Sequence, residues 1–381
     1  MQSIDNIDKK LKSIAAMLNK IRDDHSWPSE MLLDQAIKQS LNYLEKHLED
    51  LQKTAQSLLS ISTTPQESAD NVTALFHAWH MDKNPPSVLA LCIFLLEAME
   101  LKPAPDDENM LLMSAILGQV HNEPAYHNDM HFRKVVAQII RLIVANNTIY
   151  DGTPRALNTK QICTLMTAAC IHDLDHDGQG NFVKGVHISG RAEKHSFNTA
   201  KPYLIASGCD EKTLNAIHVM LLTTDVSPLD DPANPMMQMK AAYRFHFLGD
   251  NTKAHTLNLS CEISALEKDP ALTTLCLLLH EADIATSAAM TYDATKFETS
   301  LIMEEFKDDK AYPADVINFL DQICQRRFLS DAGVKLFAAN MARIYALAQA
   351  DFEGGNEAYP ASPHADFIVP KNISSKNQTI N

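Results

Sequence analysis

Apolar positions recur at three- and four-residue spacing along most of the chain, the period of helices that bury one face. Near the start, Ile4, Ile7, Leu11, Ile14, Leu18 and Ile21 keep that spacing without a miss. Ser26-Trp27-Pro28-Ser29 interrupts it, because Ser and Pro favour a turn and a fresh helix start. The spacing resumes at Ile37, Leu41, Leu44, Leu48, Leu51 and Leu58, so residues 1–65 read as a pair of amphipathic helices ending at Thr63-Thr64-Pro65. Such a pair fits a hairpin packed on the rest of the chain, or a coiled coil serving a homodimer or a partner protein.

Over residues 70–350 the helical period is dense and no polar linker divides it, which predicts one all-α, compact multi-helix domain. Alternating β-branched runs are few, and glycine is scarce at 11 residues. Residues 227–257 depart from the pattern: Pro228, Pro232 and Pro235 stand among Asp and Asn, and the stretch reads as an irregular excursion, either a lid or an ordinary surface loop. Residues 351–381 are polar and read as a flexible tail.

Composition narrows the functional classes. The chain has 381 residues, 45% hydrophobic and 21% charged, enough for a substantial core. Its most continuous apolar stretch, Val88 to Leu96, falls short of the roughly 20 residues a membrane span needs. The start lacks a basic-then-apolar leader, so a soluble, cytoplasmic protein without a membrane span is expected. Seven cysteines without a Cys-x-x-Cys pair predict reduced, buried thiols rather than disulfides or a thiolate metal site. A formal charge of −15 opposes polyanions, so no nucleic-acid partner is expected. A small phosphate ester stays open where metal ions make a site locally positive.

The chemistry concentrates in two stretches, Tyr126-His127-Asn128-Asp129-Met130-His131 and His172-Asp173-Leu174-Asp175-His176. His127 and His131 are four apart, a spacing that places both on one helical face. His172 and Asp173 end the apolar run 162–171, and Asp283 follows a second apolar run from Leu275. Ionisable groups ending apolar segments need partners. His131, His172, Asp173 and Asp283 together make a mixed nitrogen and oxygen site suited to Zn²⁺, Mn²⁺ or Fe, and Asp173 can share a second, harder ion such as Mg²⁺. His127, beside that set, is the natural general acid. Taken singly, each residue has an ordinary reading: His127 as a surface or core histidine, Gln325 as an exposed polar group, Phe328 as core. Joint occurrence at these spacings is what favours a metal-dependent hydrolase.

Tyr126-His127-Asn128-x-x-His131, then His172-Asp173-x-Asp175-His176-x-Gly178-x-x-Asn181, then Asp283, resemble the signature series of class I cyclic nucleotide phosphodiesterases within the HD-type metal phosphohydrolases. Glu193-Lys194-His195, Thr224-Asp225, Glu304-Glu305-Phe306 and Gln325-Arg326-Arg327-Phe328 resemble further elements of that family. The resemblance covers roughly residues 75–345. It implies an all-α catalytic domain that hydrolyses 3′,5′-cyclic purine nucleotides, cAMP or cGMP, to 5′-monophosphates with two divalent ions, Zn²⁺ plus Mg²⁺ or Mn²⁺. His131, His172, Asp173 and Asp283 would be the ligands, with Asp173 and Asp283 also close to the attacking water and His127 protonating the leaving oxygen. His176, Glu193 and Thr224 would hold waters of the second ion, Asn181 would support them, and Tyr126 would shape the rim. Gln325 would read the purine edge and Phe328 would stack on its face. Three features depart from the family pattern: Lys134 where Asp is usual, no Asn-Pro after Asp283, and Arg326 and Arg327 inside the Gln-x-x-Phe element, where they could meet an additional phosphate. These leave as alternatives an HD-type enzyme for another nucleotide or phosphoester, and a non-catalytic interaction protein retaining the fold.

Overall fold

Proline begins helices here as often as it ends them. Pro65, Pro105, Pro235, Pro270 and Pro313 each occupy the first turn, where the missing N–H is no loss. Thr64, Asn234 and Asp269 cap three of those starts with side-chain oxygens that accept backbone N–H groups. The computed structural model describes residues 4–25, 27–59, 64–82, 85–184, 186–226, 231, 233–250, 257–306, 310–355 and 358–359. The chain is all-α. Its helices run α1 Ile4–Arg22, α2 Glu30–Leu59, α3 Pro65–Met81, α4 Val88–Ala98, α5 Pro105–Leu117, α6 Asp129–Ile149, α7 Thr159–Ile171, α8 Arg191–Ala206, α9 Glu211–Leu222 and α10 Pro235–Phe247. They continue with α11 Pro270–Ala288, α12 Tyr292–Glu305, α13 Pro313–Asn318, α14 Asp331–Gly333 and α15 Ala339–Gly354. Two five-residue π-helical turns, Phe319–Ile323 and Val334–Ala338, follow α13 and α14. The strands among the described residues are β1 Phe182–Val183 and β2 Val186–His187, an antiparallel pair.

Helices α6, α7 and α11 pack on one another at the centre, and α5, α9 and α10 flank them. Val135, Val136, Ile139, Ile140, Leu142 and Ile143 of α6 are completely buried, as are Leu277, Leu278 and Leu279 of α11. At about 1.5–3 kcal/mol per fully buried aliphatic side chain, these contacts far outweigh the cost of burying a few polar groups, and they give the site a rigid seat. No helix among the described residues is long and apolar enough to cross a membrane.

The two N-terminal helices form as their spacing predicts, and the described part of their apolar face is covered by the same chain; the side chains of Ile4, Ile7, Leu48 and Leu51 lie outside the described residues. Leu11, Ile14 and Leu18 of α1 are buried, with α1 against α5 and α8; Leu33 and Leu44 of α2 are buried, with α2 against α4, α5 and α6. Tyr203 Oη donates to Trp27 O at 2.7 Å and ties the connection between them to α8.

Two expectations fail. The proline-rich stretch holds α10, whose Met236, Met239, Ala242 and Tyr243 are buried and which packs on α11; its remaining residues 227–230, 232 and 251–256 lie outside the described residues. Pro235 was a helix start, not a breaker. Nor is the stretch after 350 a tail throughout: α15 continues to Gly354, and Tyr359 is buried, its N–H donating to Ala311 O at 2.8 Å. The rest of that segment, from 360, lies outside the described residues.

Candidate metal centre and adjoining pocket

Each of the three central helices delivers one part of the centre. His131 sits in the first turn of α6, behind Asn128, whose side chain caps the helix by accepting from Met130 N at 2.9 Å and His131 N at 3.3 Å. His172 ends α7, with Asp173 next in the turn. Asp283 lies inside α11 rather than at its end. His127 precedes the cap, so it does not share a helical face with His131 as the four-residue spacing suggested.

The donor atoms converge. His131 Nε2 lies 3.1 Å from Asp283 Oδ1 and 3.5 Å from Asp173 Oδ2, His172 Nε2 lies 3.0 Å from Asp173 Oδ2 and 3.9 Å from Asp283 Oδ1, and the two Nε2 atoms are 3.3 Å apart. Donors placed about 2.0–2.2 Å from a single ion are separated by about 3–3.5 Å; His131, His172 and Asp283 bring theirs within 4.8 Å of one another and could hold one divalent cation, with Asp173 against both imidazoles. His172 Nδ1 donates to Ala169 O at 2.9 Å, which leaves the Nε2 lone pair turned to the centre. Two Nε2 atoms facing each other need a proton or a cation between them. Burial pushes both imidazoles down, but the Asp173 and Asp283 carboxylates outweigh it, lifting His131 above its ordinary value and His172 to about 9. Burial likewise raises Asp173, and the facing imidazoles overcome it, holding that carboxyl well below its usual range.

A second trio, His127, His176 and Glu305, also brings donor atoms within 4.8 Å of one another. Its geometry suits a proton rather than an ion. His127 Nδ1 donates to Glu305 Oε1 at 2.6 Å, and Glu305 Oε2 accepts from the backbone N–H groups of Tyr126 at 3.0 Å and His127 at 3.1 Å. The His127 and His176 rings stack at 4.1 Å with an interplanar angle of 27°, and the carboxylate between them is already engaged by hydrogen bonds. His176 Nδ1 accepts from Gly178 N at 3.1 Å. Burial pushes His127 down, but its hydrogen bond to Glu305 and the charge of Asp173 leave it raised. Burial foremost, then the charge of His127, takes His176 down to about 4, so it is neutral near pH 7. Glu305, which burial alone would raise, is held at about 2 by His127.

Sequence reasoning missed two residues that organise this region. Glu305 stands in the sequence only within Glu304-Glu305-Phe306, and Asn122 belongs to no motif. Asn122 Nδ2 donates to His127 O at 3.3 Å and Asp173 O at 3.1 Å, tying the two motif backbones together. Its partner Asp173 lies 51 residues away, a pairing no local spacing signals. Tyr126 is largely buried, its hydroxyl 3.0 Å from Thr286 Oγ1 and its ring centroid 4.7 Å from that of His131, and it lines the cavity beside the centre.

Of the residues expected to surround a second ion, Asn181 and Glu193 bond to each other, while His176 belongs to the Glu305 cluster. Asn181 Nδ2 donates to Glu193 Oε1 and Oε2 at 3.3 and 3.1 Å, and burial, with the nearby Asp225 charge, pushes Glu193 up to about 8. Asp225 Oδ2 accepts from Gly190 N at 2.9 Å, and Thr224 Oγ1 donates to Leu221 O at 2.8 Å. The Thr224 hydroxyl proton is therefore already engaged by its own helix. Lys134, the unusual cation, pairs with Glu298 at 2.5 Å in the interior and joins α6 to α12. Arg326, proposed to meet an extra phosphate, is held by Asp321 and lies over the Tyr345 ring at 4.0 Å.

Beside the centre opens a cavity of about 370 Å³ whose lining includes Tyr126, His127 and Asp283. Ile284, Ile302, Met303, Phe306, Phe319 and Ile323 form its apolar walls, and Asn318 and Gln322 supply polar edges. Gln325 and Phe328 are not part of this lining. Gln325 occupies a left-handed position, φ 53°, where Arg326 N returns to Leu320 O at 2.9 Å and closes the helix; its amide donates to Met237 Sδ at 3.1 Å. Phe328 is buried against Phe337, with ring centroids 5.1 Å apart, the ordinary core reading. No protein-family model matches the chain, and a search of curated proteins finds no match.

Proposed function

We propose that this protein hydrolyses the cyclic phosphodiester of a 3′,5′-cyclic purine nucleotide to the 5′-monophosphate, with divalent metal ions held by His131, His172, Asp173 and Asp283. The observation that carries the reading is the His131, His172 and Asp283 trio of one-ion dimensions, with Asp173 against both imidazoles, beside a carboxylate-held histidine; Asp283 and His127 line an apolar cavity of about 370 Å³, room for a purine nucleotide. Zn²⁺ at the four donors, with Mg²⁺ or Mn²⁺ sharing Asp173, would supply Lewis acidity toward the phosphate and lower the pKa of water. The chain's own residues do the rest. His127, kept protonated by Glu305, gives its Nε2 proton to the departing O3′, and Glu305 fixes the ring's tautomer and direction while staying ionised. His176, neutral and stacked, shields the other face of that ring. The base lies between the Phe306 and Phe319 sides of the cavity, with Gln322 and Asn318 at its polar edge, so the role expected of Gln325 and Phe328 passes to these residues.

One observation favours a second reading. The polar edge is not the expected Gln-x-x-Phe pair, which leaves the same centre serving another nucleotide or phosphoester. Purified protein supplied with Zn²⁺ and Mg²⁺ or Mn²⁺ should convert cAMP or cGMP to the 5′-monophosphate. Retention of bound metal without hydrolysis of either would shift the assignment to the second reading, and absence of both metal and hydrolysis would end it.

A further inference from the structure

One wall of the cavity is an unusual piece of backbone. The π-helical turn Phe319–Ile323 contributes Phe319, Gln322 and Ile323 to the cavity, at the i, i+3, i+4 spacing of one face. Single π turns within helices are rare and concentrate at functional sites. This one ends abruptly: Cys324 N returns to Phe319 O at 3.2 Å, and Gln325 and Arg326 both take left-handed conformations, φ 53° and 52°, which cost energy in residues other than glycine. Such a turn persists only when its surroundings fix it.

The fixing groups come from α10. Lys240 is 3% exposed, and its Nζ donates to Ile323 O at 3.1 Å, placing a cation on the carbonyl end of the turn, where the backbone dipole favours it. One turn earlier, Met237 receives the Gln325 amide. Burial pulls the Lys240 ammonium down to about 8, against Cys324 and Glu281, which raise it, and with Arg244 and Arg327, which lower it further. A lysine kept in an interior at that cost, where methionine would pack, argues for a task.

We propose that Lys240 is a positioning residue that fixes the Phe319–Ile323 wall and thereby sets the grip of the cavity on a planar base. It touches no reacting atom and acts through Ile323. The inference rests on the proposed base-binding role of the cavity, but its structural half does not. In Lys240→Met, amide exchange across 319–326 should quicken while α6 and α7 keep their protection. On whichever of cAMP and cGMP the wild type cleaves, KM should rise about tenfold with kcat within about twofold, the signature of lost ground-state grip. Lys240→Arg, which retains a charged donor, should recover part of the KM. Where Lys240→Met does not fold, Lys240→Gln, whose amide falls short of Ile323 O, gives the same readouts. Unchanged exchange in 319–326, or a fall in kcat at constant KM, overturns the proposal. If the wild type cleaves neither nucleotide, the functional reading falls, and the exchange comparison alone decides whether Lys240 holds the wall.

Discussion

Two histidine clusters sit side by side, with the His127 and His131 rings 5.7 Å apart, and are built from the same residue types. In one, His131 and His172 point their Nε2 atoms at a common centre closed by two carboxylates. In the other, His127 and His176 lie face to face, and the single carboxylate is already engaged at 2.6 Å. Composition does not separate the two. Direction does: His131 and His172 turn their Nε2 atoms toward each other and two carboxylates, whereas His127 stacks on His176 and makes one short charge-assisted hydrogen bond. The local backbone sets that direction. Asn128 starts α6 one residue after His127, so the helix aims His131 inward while His127 stays on the preceding turn within reach of Glu305.

The largest expected effect tests whether the clusters are separable. Asp173→Ala removes a donor of the first cluster and should abolish both stoichiometric metal binding and hydrolysis, with activity down at least about a thousandfold. His127→Ala should cost about a hundred- to ten-thousandfold in kcat while metal content, read by elemental analysis, stays at the wild-type level. Loss of metal in His127→Ala would merge the two clusters into one ion site and undo the assignment of His127 as acid.

Next in size is the Glu305 contact. Glu305→Gln should lower kcat about ten- to a hundredfold, since the amide orients His127 but holds its proton less firmly. His127 must be protonated to act, so the alkaline limb of the rate profile reports its pKa. Burial pushes that value down and the Glu305 hydrogen bond raises it above 6.5, so the limb should move to lower pH in the variant. Stability follows the same signs. The contribution from raised His127 is complete below its unfolded value and fades as pH rises through the folded one. That from Glu305, held at about 2, is present above 4.5 and fades as pH falls toward 2. Glu305→Gln should therefore be most destabilising between about pH 4.5 and 6.5, with a smaller difference at either extreme, a pattern that melting curves across pH would reveal.

How much of this could be read from the chain depended on distance along it. Helical period disclosed the all-α class and the two N-terminal helices, because the apolar face of a helix is encoded every three or four residues. His131, His172 and Asp173 were legible for the same reason: each lies within one turn of a helix end whose apolar run announces it. Glu305 was not, since it reaches His127 across 178 residues through the approach of α12 to the α6 cap. Helix α10 was hidden by a proline whose meaning depends on whether an Asn caps the turn before it. Gln325 and Phe328 were misplaced for a backbone reason. A π turn adds one residue to the repeat, and a left-handed close follows it, so spacing alone does not say which side chains face the cavity.

That last misplacement yields the smallest and most discriminating effect. Gln322 lies on the cavity face of the π turn, whereas Gln325 closes the turn and spends its amide on Met237. Removing a hydrogen-bonding edge from a bound base costs on the order of 1 kcal/mol, so Gln322→Ala should raise KM about five- to tenfold and narrow any preference between cAMP and cGMP. Gln325→Ala should leave KM within about twofold, because its N–H to sulfur contact is weak and Lys240 still holds Ile323. The opposite ranking, with Gln325 dominant and Gln322 neutral, would mean that the turn unwinds when ligand enters and rotates Gln325 into the cavity. In that case the left-handed residues at 325 and 326 would mark a hinge rather than a fixed wall, and the cavity would close only around its ligand, beside histidine clusters seated on packed helices.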